Sequence, residues 1–173
     1  MSLSIHDATV PVLVRAMQSL SGVIEKGRLH AEAEKFEPSV LLATRLYPDM
    51  FPLSRQIQVV SDQCKGGASR LAGVEPPKYP DTETTFAELK ERLDKTIAFV
   101  KGIDRNKFEG ADKRPVELKF PNNPNNSLTF KNGWDYLLGF VMPNVYFHSS
   151  MAYGILRHCG VKVGKRDFMG NIA

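Results

Sequence analysis

Near the C-terminal end of this sequence, Trp134, Leu138, Val141, Val145, His148, Ala152, Ile155 and Cys159 recur at spacings of three and four. That rhythm is the seam of a helix packed against others. His148 stands in it where an apolar residue is expected. A polar ring in such a place must be hydrogen-bonded, coordinated or turned toward a cavity. Two readings follow. In one, His148 is a structural core histidine, bonded to Tyr146, Tyr153 or a residue across the bundle, in a closed and dry interior. In the other it serves a ligand or metal site, which requires a polar cavity open to solvent.

The second reading needs partners on the same or a facing helix. One turn either side of His148 stand Asn144 and Ala152, so no His-x-x-x-His pair is present. On an earlier helix, Gln63 falls on the core side among Val59, Val60 and Cys64, and Asp62 reads as a surface charge. The candidate ligand-binding set is His148, Gln63 and Asn144, with His148 the candidate metal ligand. Glutamine is a poor zinc ligand and no carboxylate joins the set, so no tightly bound zinc is expected. No other cofactor is indicated, and a divalent metal stays an open alternative. His6 and His30 read as surface residues. His158 ends the helix about 15 Å from His148 along the axis, too far to share an ion. Ser149 and Ser150 point away from their histidine neighbour, and Cys159 beside His158 makes no dyad. The run from Gly160 to Arg166 neither follows a strand nor opens a helix, so it is not a phosphate loop.

The elements that must position these residues are helical. A first helix is expected from about Asp7 or Thr9 to Lys35, with Val10, Leu13, Met17, Leu20 and Ile24 as its seam. A connector with Pro38, Pro48 and Pro52 follows, including a short turn at Val40, Leu41 and Leu42. A second long helix runs from Pro52 to Leu71, on Leu53, Ile57, Val60, Cys64 and Leu71. Its Gly66-Gly67 pair suggests the close approach of a neighbouring helix in preference to a hinge. Thr85 and Glu88 form a capping box for a third helix, ending near Ile103. Val116, Leu118 and Phe120 alternate with charged residues as a half-buried strand does, and Leu128, Thr129 and Phe130 supply a partner strand. Between them Pro121 to Asn126 reads as a turn. The fourth helix spans Asn132 to His158, kinked by Pro143 and ended by Gly160. The tail from Val161 to Ala173 reads as irregular. The fold class is all-α, a four-helix bundle with a small β-hairpin between its third and fourth helices, in a single domain over residues 1–173.

The 173 residues are 42% hydrophobic and 24% charged, with a net charge of +4. This is the balance of an ordinary globule. The basic residues are scattered, which argues against nucleic acid. No apolar run reaches membrane-spanning length. Two cysteines, Cys64 and Cys159, are too few for a disulfide framework. With no basic and apolar leader at the N-terminus, the expected location is cytoplasmic.

Four separated segments carry a family resemblance: Pro48-Asp-Met-Phe-Pro-Leu-Ser-Arg-Gln, Asp81-Thr-Glu-Thr-Thr-Phe-Ala-Glu-Leu, Asp135-Tyr-Leu-Leu and Gly164-Lys-Arg-Asp-Phe-Met-Gly. Together they resemble an uncharacterised bacterial branch of the DinB/YfiT-like superfamily. The resemblance implies an up-down-down-up four-helix bundle and a homodimer. Metal-binding relatives hold a divalent ion with one histidine from the second helix and a His-x-x-x-His pair from the fourth, and some are thiol-dependent transferases or hydrolases. In this sequence only His148 matches that set, and Gln63 stands near where the second-helix histidine is expected. The resemblance therefore implies a small-molecule or degenerate metal-site protein. The alternative is a non-catalytic dimeric bundle, used in binding or stress-related association, with a structural His148.

Overall fold

The computed structural model describes residues 3–120 and 123–170. Helix α1 spans Ile5–Glu34, α2 Ser39–Ala43, α3 Leu53–Ala72 and α4 Phe86–Gly102. Strands β1 (Val116–Phe120) and β2 (Asn123–Phe130) follow a 3-10 turn at Arg105–Phe108. The last long helix has three parts: α5 (Gly133–Tyr136), a π-helical segment (Leu137–Val141) and α6 (Met142–His158). A short helix α7 (Lys165–Met169) closes the described chain. Helices α1 and α3 each pack on both α4 and α6, which closes the ring of a four-helix bundle. No described helix is long and apolar enough to cross a membrane.

Local chemistry sets the helix ends. The chain enters α1 earlier than expected, because Ser4 caps it by accepting from the Asp7 amide. Thr9 is buried and returns its hydroxyl to the Ile5 carbonyl. Pro52 precedes α3, and Gly73 ends it in the left-handed region at φ 67°. Thr85 and Glu88 form the capping box of α4 reciprocally. The core joins Leu13, Met17 and Ile24 of α1, Ile57, Val60 and Cys64 of α3, Leu89 and Leu93 of α4, and Val145, Ala152 and Ile155 of α6. In the hairpin, Val116 pairs with Phe130 and Leu118 with Leu128. Val116 and Leu118 turn inward while Glu117 and Lys119 face solvent. The expected turn is corrected in part: Asn123 to Asn126 belong to β2, and Pro121 and Asn122 lie outside the described residues.

Two further expectations change. The C-terminal tail is not wholly irregular, since α7 docks on α1 through a 2.7 Å ion pair between Lys26 and Asp167. The seam of the last helix is also offset at its start. Leu138 is 60% exposed and Leu137 is buried instead. The π segment explains this, because the Met142 amide reaches back five residues to the Leu137 carbonyl. That wider turn contains one extra residue and sets the preceding face back by one position. Pro143 follows it directly, and the Asn144 side-chain amide donates to the Phe140 carbonyl at 2.7 Å, supplying a donor where the ladder is disturbed.

The Gly66-Gly67 pair is a close approach. A Cβ on Gly67 would lie 2.7 Å from Val141 Cγ1, inside contact distance. The Gly67→Ala variant is expected to lose about 1–3 kcal/mol in denaturant unfolding through overpacking. Adding Val141→Ala should return part of that loss. Unchanged stability of the single variant would show that α3 and α6 separate freely there.

Candidate functional site

Helices α3 and α6 run antiparallel across the site, with Gln56 opposite His148 and Gly67 opposite Val141. His148 is half-buried, and its Nδ1 lies 2.7 Å from Gln56 Oε1. Gln56 is 2% exposed. Its other end is committed, since Nε2 donates to the Phe51 carbonyl at 3.0 Å. With the amide so oriented, Oε1 can only accept, so Nδ1 of His148 carries the proton and donates it. The lone pair of the neutral ring then resides on Nε2. That nitrogen has no hydrogen-bond partner among the described residues and is not one of the sealed polar atoms, so it meets solvent.

The rings around it are aromatic. Phe51 stacks on His148 at 6.4 Å between centroids, and Phe147 meets it edge-on at 5.1 Å. Arg55 lies over the Phe51 ring, its guanidinium carbon 5.8 Å from the centroid. Burial pushes the His148 pKa below its ordinary value, and the positive charge of Arg55 pushes in the same direction. The ring is thus held neutral, as a hydrogen-bond acceptor or a weak base.

The other candidates are placed differently. Asn144 is on α6 one turn before His148, with its amide nitrogen committed to the backbone of Phe140. Gln63 is half-buried two turns beyond Gln56, on the same face of α3. The second-helix partner of His148 is therefore Gln56 and not Gln63. Residues seven apart share a helix face, so spacing alone does not separate them.

A metal site of the kind the resemblance implies does not fit these residues. Ala152 is buried and offers no donor. Gln56 Oε1 is occupied by the His148 proton, leaving Nε2 of His148 as a single ligand atom. Among the described residues no group of three or more His, Cys, Asp or Glu is arranged to hold an ion. Cys64 is buried, which pushes its thiol pKa far up, and both cysteines are free.

Two polar clusters went unread in the sequence. Asp62 is no isolated surface charge. It accepts from Arg92 at 2.8 Å, and Arg92 also reaches Asp81 at 3.0 Å, Glu83 at 2.9 Å and the Pro80 carbonyl at 3.0 Å. The signal was Arg92 itself, a charge in seam register beside Leu93. The second cluster lies at the start of α1. His6, expected at the surface, is largely covered and contacts Asp7 at 3.0 Å. Arg105 clamps that carboxylate, and its hydrogen bond holds the Asp7 pKa well below the usual range. A cleft of about 420 Å³ opens there between His6, Arg105, Phe108 and Trp134. His30 is half-buried against Phe36, whereas His158 is exposed.

The bundle, its hairpin and the histidine on its last helix define a DinB-like helical protein. A crystal structure of a DinB family member protein from Shewanella denitrificans superposes with a TM-score of 0.87, at 35% identity over 97% of this chain and 93% of that one. The family model described as a domain of unknown function, DUF1993, matches residues 5–169, and the chain belongs to that family. No curated protein matches it.

His148→Leu removes the donor to a buried Gln56 oxygen. It is expected to cost about 1–2 kcal/mol, as an unsatisfied buried acceptor does. The double variant with Gln56→Met should recover part of that, since the buried acceptor is then gone while the Phe51 carbonyl loses its donor. Denaturant midpoints of the three proteins check this. The pH dependence has a definite sign. A histidine whose folded pKa lies below its unfolded value contributes fully above the unfolded value, near 6.5, and the contribution fades as pH falls below it. Stability should therefore decline more steeply below about pH 6.5 in the parent than in His148→Gln, measured by unfolding at a series of pH values.

Proposed function

We propose that this chain is a small-molecule-binding protein in which the neutral imidazole of His148 presents Nε2 as acceptor and base, without a metal. One observation carries the reading: Phe51 fixes the Gln56 amide, Gln56 fixes the Nδ1–H tautomer, and Nε2 is left exposed beside a cation. Such a nitrogen accepts a proton from an acidic O–H or S–H group. The superfamily resemblance favours a thiol, of the transferase or hydrolase-like kind. The S–H proton passes to Nε2, the electron pair stays on sulfur, and the nearby guanidinium of Arg55 favours the anion. Asn144 and Gln63 extend the same polar strip along α6 and α3. A cytoplasmic setting suits this chemistry, and the free thiols of Cys64 and Cys159 support it.

The test is nitrogen-detected NMR of the histidine rings. The expected spectrum has His148 as the Nδ1–H tautomer with a pKa below about 6.5. Addition of N-acetylcysteine should move its Nε2 resonance saturably, and the perturbation of neighbouring amides should vanish in His148→Gln. An Nε2–H tautomer, or an Nε2 resonance indifferent to the thiol, would sink the reading.

A specific observation also supports the alternative, a dimeric binding bundle. Phe51 is 49% exposed and Phe147 54%, and both rings lie against His148. Aromatic side chains gathered on one face are what an isologous contact covers. Under this reading light scattering finds a dimer at tens of micromolar and Phe147→Glu makes it a monomer. A monomeric parent protein removes the alternative.

A further inference from the structure

A group of hollows lies under α7, away from the Nε2 of His148. Three neighbouring hollows, each sharing wall residues with the next, run between α1, α6 and α7. The innermost, about 20 Å³, is lined by Ala16, Leu20, Val23, Tyr146, Ser149 and Phe168. It adjoins a space of about 220 Å³, which shares Ala16, Tyr146 and Phe168 and adds Val12, Arg15, Ser19 and Met169. Arg15 and Ser19 also border an outer trough of about 610 Å³, lined further by Lys26, Arg166 and Asp167. The floor is apolar and the mouth is basic.

Ser149 marks the inner end. It is 5% exposed, and its hydroxyl has no hydrogen-bond partner. Three other helical hydroxyls return to the carbonyl four residues back, Thr9 to Ile5, Ser19 to Arg15 and Thr96 to Arg92, and one other, Ser69 on α3, is sealed without a partner as Ser149 is. Ser149 makes no such bond, and it lines the inner hollow. A sealed hydroxyl without a partner is costly, and a ligand atom supplying the missing bond removes that cost. At the mouth, Asp167 is taken by Lys26 at 2.7 Å. Arg15 and Arg166 have no ion-pair partner among the described residues, whose side chains thus give the rim a net positive charge.

The roof is built to yield. Helix α7 has five residues, none of them buried. It is held by the Lys26–Asp167 pair and by the edge-on contact of Phe168 with Tyr153 at 5.9 Å. Segments with so little buried surface open at low free-energy cost.

We propose that this trough binds a small carboxylate with an apolar aromatic body and a hydrogen-bonding group at its far end. The carboxylate lies against Arg15 and Arg166, the body runs along Ala16, Tyr146 and Phe168, and the far group bonds Ser149 Oγ. The site goes beyond the His148 reading and does not depend on it, since adjacent residues on a helix face different ways.

The test uses the full chain and two probes, 4-hydroxyphenylpropanoate and phenylpropanoate, followed by amide NMR. Saturable shifts are expected at Ala16, Tyr146, Ser149 and Phe168, with the hydroxylated probe binding more tightly. Arg15→Gln with Arg166→Gln, both at the rim, should weaken both probes about tenfold, the loss of charge-assisted hydrogen bonds. Ser149→Ala should remove the preference for the hydroxylated probe and leave phenylpropanoate binding intact. His148→Gln should change neither affinity, which separates this site from the other. The proposal is overturned by shifts that do not saturate, by binding indifferent to the arginine variants, or by a preference that survives Ser149→Ala. The last result would assign the inner hollow to a bound water.

Discussion

Arg92 brings a full positive charge to 3% exposure between α3 and α4. An isolated charge in that position would cost several kcal/mol, so its partners are obligatory. They come from two places: Asp62 on α3, and Asp81 and Glu83 on the proline-rich connection between α3 and α4. Tyr79 of the same connection lies 5.6 Å from the guanidinium and adds its ring face. The cluster thereby pins a segment that has no regular structure of its own. It also reaches the histidine. Arg55 takes Asp81, Gln58 takes Glu83, and Arg55 lies over Phe51, whose carbonyl orients Gln56. The surroundings of His148 are thus linked, contact by contact, to a buried guanidinium two helices away.

What could be read from the sequence was local or periodic. The Thr85–Glu88 box, the start of α3 at Pro52 and the alternation of β1 each depend on residues a few positions apart, and all stand in the structure. The approach at Gly67 was also legible, because a helical glycine needs a packing reason. What failed depended on relations between elements. Gln63 and Gln56 share a face of α3, and only the relative slide of α3 and α6 decides which meets His148. Leu138 and Leu137 exchange places because of one wide turn that regular helical spacing does not contain. Helix α7 buries no residue, so no apolar rhythm announced it. Arg92 was passed over because a charge on a helix is usually solvated, and its partners come from a loop.

Family membership fixes the fold and leaves the chemistry to the residues. Where metal-binding relatives have a histidine pair on the last helix, this chain has His148 followed by the buried Ala152. Gln56 then meets the ring from α3 with a carbonyl oxygen. That contact orients the ring and selects its tautomer, a role that ligand-orienting residues play around metals. The same geometry would equally suit an imidazole acting on its own, for which a defined tautomer and a lowered pKa are what an acceptor at neutral pH requires.

The π segment at Leu137–Val141 has a consequence for chain length. Along a regular helix, dropping one residue swings everything beyond it by about 100°, turning the buried side outward. Here the wide turn already holds one residue more than a regular turn does. A single deletion inside it would let the helix relax to ordinary geometry with Gly133 and Leu137 on one side and Val145 and Ala152 on the other still facing the same interior. The segment acts as slack in the longest continuous stretch of the C-terminal half. Homologous chains one residue shorter at this point are therefore compatible with the same packing of α3 against α6.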